Sequence, residues 1–243
     1  MPLPPTFDAH LVAARALSPQ VRELTFERKD GAPFAFDAGQ WVSLVLPLPT
    51  GEVRRSYSIA SWPNGSPRFE VAITHVQGGP GSTYLHDLSI GRTLRAIGPQ
   101  GFFTRGKGKG APALFVGTGT GVTPLRSMLH DAVRTGDPRP LCLLFGVRRE
   151  ADRLYEDELE ALAKAHPNVR VEYTLSQPSE GWPHRHGYVQ THVRELFGDL
   201  AAKNEGAPHV YICGLERMVS SVRDLLRKDM GLPREQVHSE RYD

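Results

Sequence analysis

Hydrophobic and polar residues alternate in the first hundred positions, whereas apolar residues run together later in the chain. Segment 69–76 places Phe69, Val71 and Ile73 on one face, and segment 41–46 is rich in aromatic and β-branched residues. A period of two, broken by frequent Gly and Pro, is typical of antiparallel strands. Long helices are not predicted there. The first part of the chain therefore predicts an antiparallel β-barrel or sandwich.

The second part of the chain alternates short apolar runs with helical patterns. The apolar runs are 113–117, 141–147, 169–175 and 209–214, and the helical patterns are 124–134, 152–165, 188–197 and 216–229. Strands that alternate with helices predict parallel βαβ units, with helices on both faces of the sheet. A Gly- and Lys-rich stretch at 104–112 separates the two patterns. We therefore predict two domains, at residues 1–105 and 111–243.

Composition and charge exclude several classes of protein. The chain is 40% hydrophobic and 23% charged, as soluble globular proteins are, and no apolar run approaches the ~18 residues of a membrane helix. The N-terminus lacks the regions of a signal peptide, so we expect a cytoplasmic protein, and nothing demands more than a monomer. The net charge of +2 is too small to favour nucleic-acid binding.

Metal chemistry is not predicted either. The chain has two cysteines, Cys142 and Cys213, whereas a plant-type iron–sulfur cluster needs four cysteine ligands. The His-Arg-His run at 184–186 is more typical of a solvated loop than of a metal site.

Three closely spaced glycines follow the first apolar run of the second part: Gly117, Gly119 and Gly121. A helix is predicted to begin near Pro124, with Thr123 as its N-cap. Backbone amides in front of a helix bind pyrophosphate groups, so this segment is a candidate phosphate-binding turn. Its spacing differs from the G-x-G-x-x-G fingerprint, and the interpretation depends on the strand before it and the helix after it. The alternative is a tight structural turn.

Arg148 and Arg149 follow the second apolar run. Many NAD-binding folds place an acidic residue there, which binds the ribose hydroxyls. An arginine suits a 2′-phosphate instead, because its planar guanidinium donates two charge-assisted hydrogen bonds. The alternative is a solvated charged pair at the end of a strand.

Further motifs occur in a definite order along the chain. Arg-Ser-Tyr-Ser lies at 55–58, Gly-Gly-Pro-Gly-Ser-Thr at 78–83 and Cys-Gly at 213–214, and the C-terminus carries Glu240 and Tyr242. Together with the glycine-rich turn, this order resembles the ferredoxin–NADP reductase superfamily over nearly the whole chain. The resemblance implies an antiparallel β-barrel FAD-binding domain followed by an α/β NAD(P)-binding domain with a parallel sheet.

The resemblance implies a flavin site in the first domain. Arg55 would bind a flavin phosphate, Tyr57 would lie against the flavin ring and Ser58 would lie near its N5 atom. In plant-type members the terminal tyrosine covers the flavin and moves aside for nicotinamide. Asp243, which follows that tyrosine, and Thr74, where relatives often carry lysine, depart from the family pattern. The implied flavin-binding residues are Arg55, Ser56, Tyr57, Ser58, Gly79, Gly81, Ser82, Thr83 and Tyr242.

The resemblance also implies a nicotinamide nucleotide site in the second domain. Its residues would be Gly117, Thr118, Gly119, Gly121, Thr123, Arg148, Ser176, Arg185, Cys213 and Gly214. The implied catalytic residues are Ser58, Cys213 and Glu240. Gln177 stands where NADP-using relatives often carry a basic residue, so NADPH is favoured only slightly over NADH.

The implied activity is an FAD-dependent oxidoreductase. It would pass hydride from NAD(P)H to the flavin and then single electrons to a ferredoxin or flavodoxin. Basic residues near the end of the first domain would attract such an acidic carrier: Arg92, Arg95, Arg105, Lys107 and Lys109. Two alternatives stay open. One is an NADH-dependent reductase component of a multicomponent oxygenase, and the other is a flavin-binding subunit or sensor without nicotinamide turnover.

Overall fold

The computed structural model describes residues 4–106, 110–202 and 206–242, so Lys107, Lys109 and Asp243 lie outside the described residues. The chain divides into two compact units. Unit 1 comprises the chain up to Thr104 together with Arg126–Asp131, and unit 2 comprises Arg105–Leu125 and the chain from Ala132 onward. Within the described ranges, no helix has the length and apolar character that a membrane span requires.

Unit 1 is a closed antiparallel β-barrel. Its described elements are β1 (Thr6–Ser18), β2 (Val21–Arg28), β3 (Trp41–Leu48), β4 (Gly51–Ser58), β5 (Arg68–Thr74), α1 (Pro80–His86) and β6 (Thr93–Gln100). The strands pair antiparallel in the order β4-β3-β6-β1-β2-β5. Just beyond β4, Ile59 forms a bridge with Val71 of β5, which brings the two edges of the sheet together. The predicted barrel is confirmed.

Alternating side chains build the core of this barrel. Phe69, Val71 and Ile73 are all buried, as their spacing predicted. The rings of Phe26 and Phe69 stack with their centroids 5.7 Å apart. Because aromatic rings bury large areas, this cluster anchors the strands around it, and the half-buried ring of Tyr57 packs against it from β4.

Unit 2 is a parallel sheet with helices between its strands. Its described strands are β7 (Ala113–Thr118), β8 (Leu141–Val147), β9 (Val169–Leu175), β10 (Arg185–His186), β11 (His209–Leu215) and β12 (Val237–Tyr242). Its described helices are α2 (Val122–Arg134, of which Arg126–Asp131 belong to unit 1), α3 (Glu156–Ala165), α4 (Gln190–Ala202) and α5 (Glu216–Asp224), the last continued by a π-helical turn at Leu225–Asp229. The strands lie in the order β10-β9-β8-β7-β11-β12 and all pairings are parallel.

The strand order places the helices on both faces of the sheet. From β7 the chain moves outward to β8 and β9, and it then returns to the other side of β7 at β11. Because such crossovers are right-handed, the reversal of direction moves α4 and α5 to the face opposite α2 and α3. Apolar residues of α4 and α5 accordingly share one core cluster with β7, β8 and β11. The predicted parallel α/β architecture is confirmed.

The turn after β7 differs in detail from the prediction. Gly119–Gly121 form a 3₁₀ turn, and α2 begins at Val122. Thr123 therefore lies inside the helix, and its hydroxyl donates to the carbonyl of Thr120 at 2.8 Å. The predicted N-cap was wrong because Gly119, at φ +53°, turns the chain into helical geometry earlier than a threonine cap would.

A pair of histidines joins the first residues of β11 to β12. Nδ1 of His209 and Nε2 of His238 are 2.9 Å apart, and the Tyr211 ring stacks on His238 at 4.6 Å. One of the two nitrogens must be a donor and the other a bare acceptor. Burial lowers the pKa of both imidazoles, and the charge of Arg105 lowers the pKa of His209 further, while His209 lowers that of His238.

The histidine pair predicts that the free energy of unfolding depends on pH. Because the native pKa values are lowered, the unfolded chain binds protons more readily below its ordinary histidine value of about 6.5. The contribution of the two imidazoles to the free energy of unfolding is therefore fully present above that pH. It is lost as the pH drops through the native pKa values, by at most about 1.4 kcal/mol per pH unit for each imidazole. Urea denaturation of His238→Gln between pH 5 and 8 should show a shallower decline than wild type. The exposed His75 lies outside this pair, and His75→Gln supplies the control for the substitution itself.

Candidate flavin and nucleotide sites

The Arg-Ser-Tyr-Ser motif lies on β4 of unit 1. Arg55 is exposed, and its Nη1 donates to the carbonyl of Arg54 at 2.9 Å. Tyr57 is half-buried, and burial raises its pKa to about 12, so the phenol is neutral. Ser58 is buried at the end of the strand. Because alternate residues share a face of a strand, Arg55 and Tyr57 present a cation and an aromatic ring on the same side. This arrangement suits a ligand with a phosphate and a flat ring.

Gly81 lies directly beside Arg55. A Cβ atom at Gly81 would lie 3.3 Å from Cδ1 of Leu46 and 3.6 Å from Nε of Arg55. A Cβ there would therefore pack tightly on Leu46 and fill the space beside the Arg55 side chain. The glycine leaves space next to a positively charged group, as a phosphate requires, so these residues fit the phosphate portion of FAD.

Ser82 shapes the predicted pyrophosphate loop from within. Its Oγ accepts from the backbone amide of Val76 at 3.0 Å and donates to the carbonyl of Gly79 at 3.0 Å. The hydroxyl thus closes the loop on itself, and its role as a phosphate ligand stays a prediction. Thr83 lines a groove of about 630 Å³ together with Tyr84 and other residues.

Ser56 lies on the other side of β4 from Arg55 and Tyr57. Its Oγ is 3.2 Å from Oγ of Ser43 on β3, to which β4 is paired. This contact ties the two strands together, and a flavin contact of Ser56 stays a prediction.

Arg126 is a buried residue of unit 1 that the sequence analysis did not single out. Its side chain is 2% exposed, and its Nη1 donates to the carbonyl of Ala60 at 2.8 Å and to Glu70 at 2.9 Å. Arg126 thereby holds the segment that directly follows Ser58. A single arginine in an amphipathic helix usually faces solvent, so no sequence signal marked it.

The glycine-rich turn of unit 2 lies against the end of β11. A Cβ atom at Gly121 would lie 2.6 Å from the carbonyl carbon of Cys213, and one at Gly214 would lie 2.5 Å from Oγ1 of Thr118. Only glycine permits these close approaches. The structure therefore brings together four of the residues predicted for the nucleotide site: Thr118, Gly121, Cys213 and Gly214. Gly119 is exposed, and a Cβ there would have no neighbour within 4 Å.

Cys213 faces the C-terminal strand. It is fully buried, and the parallel register of β11 and β12 places it opposite Glu240. Burial, and secondarily Glu240, raises the pKa of the thiol, whereas a hydrogen bond with the Tyr242 hydroxyl lowers it. The net direction is upward, so the thiol stays protonated. A buried, protonated thiol is suited to packing against a ligand and not to nucleophilic attack.

Arg148 lies in the loop that follows β8, at the carboxyl end of that strand. It is exposed, and among the described residues no ion pair involves it. The amide of Gln177 donates to the carbonyl of Arg148 at 2.9 Å, and the amide of Ser176 donates to that of Val147 at 3.1 Å. The loops after β8 and β9 are thus joined by their backbones, with the Arg148 side chain available to a ligand.

Arg185 is in a different situation. Its guanidinium donates to both carboxylate oxygens of Glu195, at 2.7 and 2.8 Å, and to Glu172 at 3.0 Å. Glu195, followed by Glu172, raises the pKa of Arg185, although burial opposes the rise. Since two carboxylates already neutralise this charge, the structure favours a clamp between β9, β10 and α4. A phosphate contact by Arg185 stays a prediction.

Comparison with known proteins identifies both units. The model of an oxidoreductase FAD-binding domain matches residues 8–104, and that of an oxidoreductase NAD-binding domain matches residues 115–224. The chain is 61% identical to ferredoxin–NADP reductase B of Sorangium cellulosum, over 98% of both chains. It is 32% identical to the ferredoxin–NAD(P)+ reductase component of naphthalene 1,2-dioxygenase/salicylate 5-hydroxylase systems of a Ralstonia species, over 86% of this chain and 61% of that relative.

Solved structures share the fold. The ferredoxin reductase in carbazole 1,9a-dioxygenase has a TM-score of 0.83 at 24% identity, covering 100% of this chain and 70% of the other. The cytochrome b5 reductase domain of Ulva prolifera nitrate reductase has a TM-score of 0.82 at 22% identity, covering 97% of both. The expected cofactors, FAD and a nicotinamide dinucleotide, are confirmed by the two domain matches. This chain belongs to the ferredoxin–NADP reductase superfamily of FAD- and nicotinamide-dependent oxidoreductases.

Proposed function

We propose that this protein oxidises NADPH and passes the electrons through FAD to a ferredoxin or a flavodoxin. The observation that carries the proposal is the 61% identity to a ferredoxin–NADP reductase over 98% of both chains. The open space beside Arg55 at Gly81 and the close approach of Gly121 to Cys213 support the proposal, since they suit the two cofactor sites that this activity would need. A cytoplasmic location and a monomeric state are part of the proposal.

In the flavin site, side chains of unit 1 would bind FAD and orient its ring. Bound FAD accepts a hydride and releases electrons one at a time. Arg55 would donate charge-assisted hydrogen bonds to a phosphate, and the neutral phenol ring of Tyr57 would cover one face of the flavin ring. Ser58, held at the end of β4, would offer its hydroxyl near N5. None of these residues has to gain or lose a proton to do so.

On the nucleotide side, backbone groups and a buried thiol would do the positioning. The amides of Gly119 and Gly121, in front of α2, would donate to the pyrophosphate. Cys213 would pack against the nicotinamide, and Glu240 would help to orient it. Orientation of this kind lowers the activation free energy of hydride transfer substantially, because the reacting atoms must come within about 3–3.5 Å of each other.

The preference for NADPH over NADH can be tested by replacing Arg148 and Arg185, for which we expect different results. Arg148→Ala should raise the KM for NADPH about 10-fold, the value of one charge-assisted hydrogen bond, and leave the KM for NADH nearly unchanged. Arg185→Ala should lower the thermal stability and affect both nucleotides alike, since Arg185 is held by Glu172 and Glu195. Steady-state kinetics with both nucleotides, together with a thermal melt, measure these effects. Equal changes of both KM values in Arg148→Ala would rule out a 2′-phosphate contact.

A second candidate is the reductase component of an oxygenase. Three relatives with that description are 30–32% identical to this chain, which spans 57–64% of their length. With two cysteines this chain cannot itself form a four-cysteine iron–sulfur cluster, so in this role it would pass electrons to a separate iron–sulfur component. The protein that accepts electrons from the reduced flavin distinguishes the two functions.

Anaerobic titration of the flavin-loaded protein tests the proposal. NADPH should bleach the flavin absorbance within seconds, and a ferredoxin or flavodoxin added afterwards should restore it. Bleaching by NADH in preference, with restoration only by an oxygenase's separate iron–sulfur component, would favour the second candidate. No bleaching by either nucleotide would instead favour a flavin-binding subunit or sensor.

A further inference from the structure

Ser179 holds the carboxylate of Glu150. The 3₁₀ turn at Glu150–Asp152 follows β8, whereas Ser179 lies in the loop that follows β9. Oε1 of Glu150 accepts from the backbone amide of Ser179 at 2.8 Å and from its hydroxyl at 2.6 Å. The bond from the hydroxyl is the main cause that lowers the pKa of Glu150, so this carboxylate is ionised at neutral pH. One serine thus occupies a negative charge in the loop that carries Arg148.

Glu150 is also a close neighbour of Arg148 along the chain. Arg149, which separates them, is extended at φ −133° and ψ 167°. In extended backbone, residues two positions apart lie about 6.5 Å from each other and share a side. A free carboxylate at such a distance can pair with a guanidinium, as Glu195 pairs with Arg185 in the same unit. Within the described ranges, however, Arg148 takes part in no ion pair.

A second contact joins the same two loops. The guanidinium of Arg153 lies over the rings of Tyr173 and Trp182, with its Cζ 5.4 and 5.0 Å from their centroids. Cation–π contacts of this kind stabilise the packing of the two loops without the help of Ser179. Loss of the Ser179 hydroxyl therefore leaves the loops joined and changes mainly the hydrogen bonding of the Glu150 carboxylate.

We propose that Ser179 is a positioning residue that sets the preference for NADPH, because it holds the Glu150 carboxylate and so leaves Arg148 free for the 2′-phosphate. The inference rests on the proposed function. A phosphate can bind a guanidinium that is already paired only after it has displaced the carboxylate. NADH carries a hydroxyl in place of this phosphate, so its binding does not depend on whether Arg148 is paired.

Two nucleotide fragments that differ only in the 2′-phosphate test this role. 2′,5′-ADP carries that phosphate and AMP lacks it, and calorimetry on the FAD-loaded protein measures both affinities. Ser179→Ala removes the shorter of the two bonds to Glu150. At low ionic strength we expect this variant to bind 2′,5′-ADP about 3-fold more weakly, within the range of an exposed charge pair, and AMP as wild type does. Salt at about 0.5 M should reduce the loss, because it screens charges at the surface.

Glu150→Gln separates the effect of charge from that of structure. Glutamine can still accept from Ser179 but is uncharged, so this variant should bind 2′,5′-ADP at least as tightly as wild type. The double variant Ser179→Ala/Glu150→Gln should recover the wild-type affinity, because a neutral side chain does not form an ion pair with Arg148. Ser220→Ala is the matched control and should change neither affinity, since the Ser220 hydroxyl donates to Glu216 on α5 at 3.0 Å.

Three results would overturn the role of Ser179. In the first, Ser179→Ala binds 2′,5′-ADP as tightly as wild type. In the second, it loses affinity for 2′,5′-ADP and AMP alike, and in the third, Glu150→Gln does not relieve its loss. All three leave the preference for NADPH standing. A wild-type protein that binds 2′,5′-ADP no more tightly than AMP would overturn that preference itself, and the role of Ser179 with it.

Discussion

Replacing Arg55 by alanine is expected to weaken the affinity for FAD about 10- to 100-fold. The guanidinium is exposed on β4, and its Nη1 donates to the backbone carbonyl of the neighbouring Arg54. A charged hydrogen bond to a ligand contributes about 1.5–3 kcal/mol, which corresponds to that range of affinity. Titration of the apoprotein with FAD, followed by the quenching of flavin fluorescence, measures the dissociation constant.

Arg54 provides a matched control for this prediction. It is also an exposed arginine, one residue earlier on the same strand, but successive side chains of a strand point to opposite sides. Arg54→Ala makes the same change in net charge, and we expect it to alter the FAD affinity by no more than about twofold, as is usual for a distant surface charge. Equal losses in both variants would mean that overall charge, and not a contact of Arg55, attracts the flavin.

The sequence predicted those elements whose hydrophobic pattern is set locally. The central strands β7, β8 and β11 are continuous apolar runs because both faces of the sheet are covered, and their pattern was recognisable. The edge strands β4 and β12 were not predicted as strands. Their residues are mostly polar, since an edge strand is partly solvated, and their conformation depends on pairing with a neighbour distant in sequence.

In the candidate sites, too, the sequence predicted local features but not contacts between residues that are distant in sequence. Motifs identified Gly121 and Cys213, and the structure places their backbones against each other. The partners of Arg126 and Arg185 could not be predicted, because Glu70, Glu172 and Glu195 come from other elements and converge only in the folded chain. A residue type thus indicates which chemistry is available, whereas the tertiary structure decides whether the group is already occupied.

Substituting alanine for Gly121 is expected to destabilise the protein by about 2–3 kcal/mol, the cost of overpacking a closely packed site. The added Cβ would lie 2.6 Å from the carbonyl carbon of Cys213 and 2.8 Å from Cα of Gly214, and it would also meet the carbonyl oxygen of Cys213. All three atoms belong to the backbone of β11, which is paired on both sides, with β7 and β12. No side chain can rotate away, so either the turn or the strand must shift.

Two other glycines separate this steric effect from backbone strain. A Cβ at Gly119 would have no neighbour within 4 Å, but its φ of +53° is unfavourable for alanine, so Gly119→Ala should cost only about 1 kcal/mol. Gly198, inside α4, also has no such neighbour, and Gly198→Ala should raise stability by about 0.5–1 kcal/mol.

Urea denaturation ranks the three variants by stability. Nucleotide titration should show more than about 10-fold weaker binding for Gly121→Ala alone, since a shift of the turn moves its amides away from the pyrophosphate. If Gly121→Ala were as stable as Gly119→Ala and bound nucleotide normally, the turn could not lie as close to Cys213 as the proposed nicotinamide site requires.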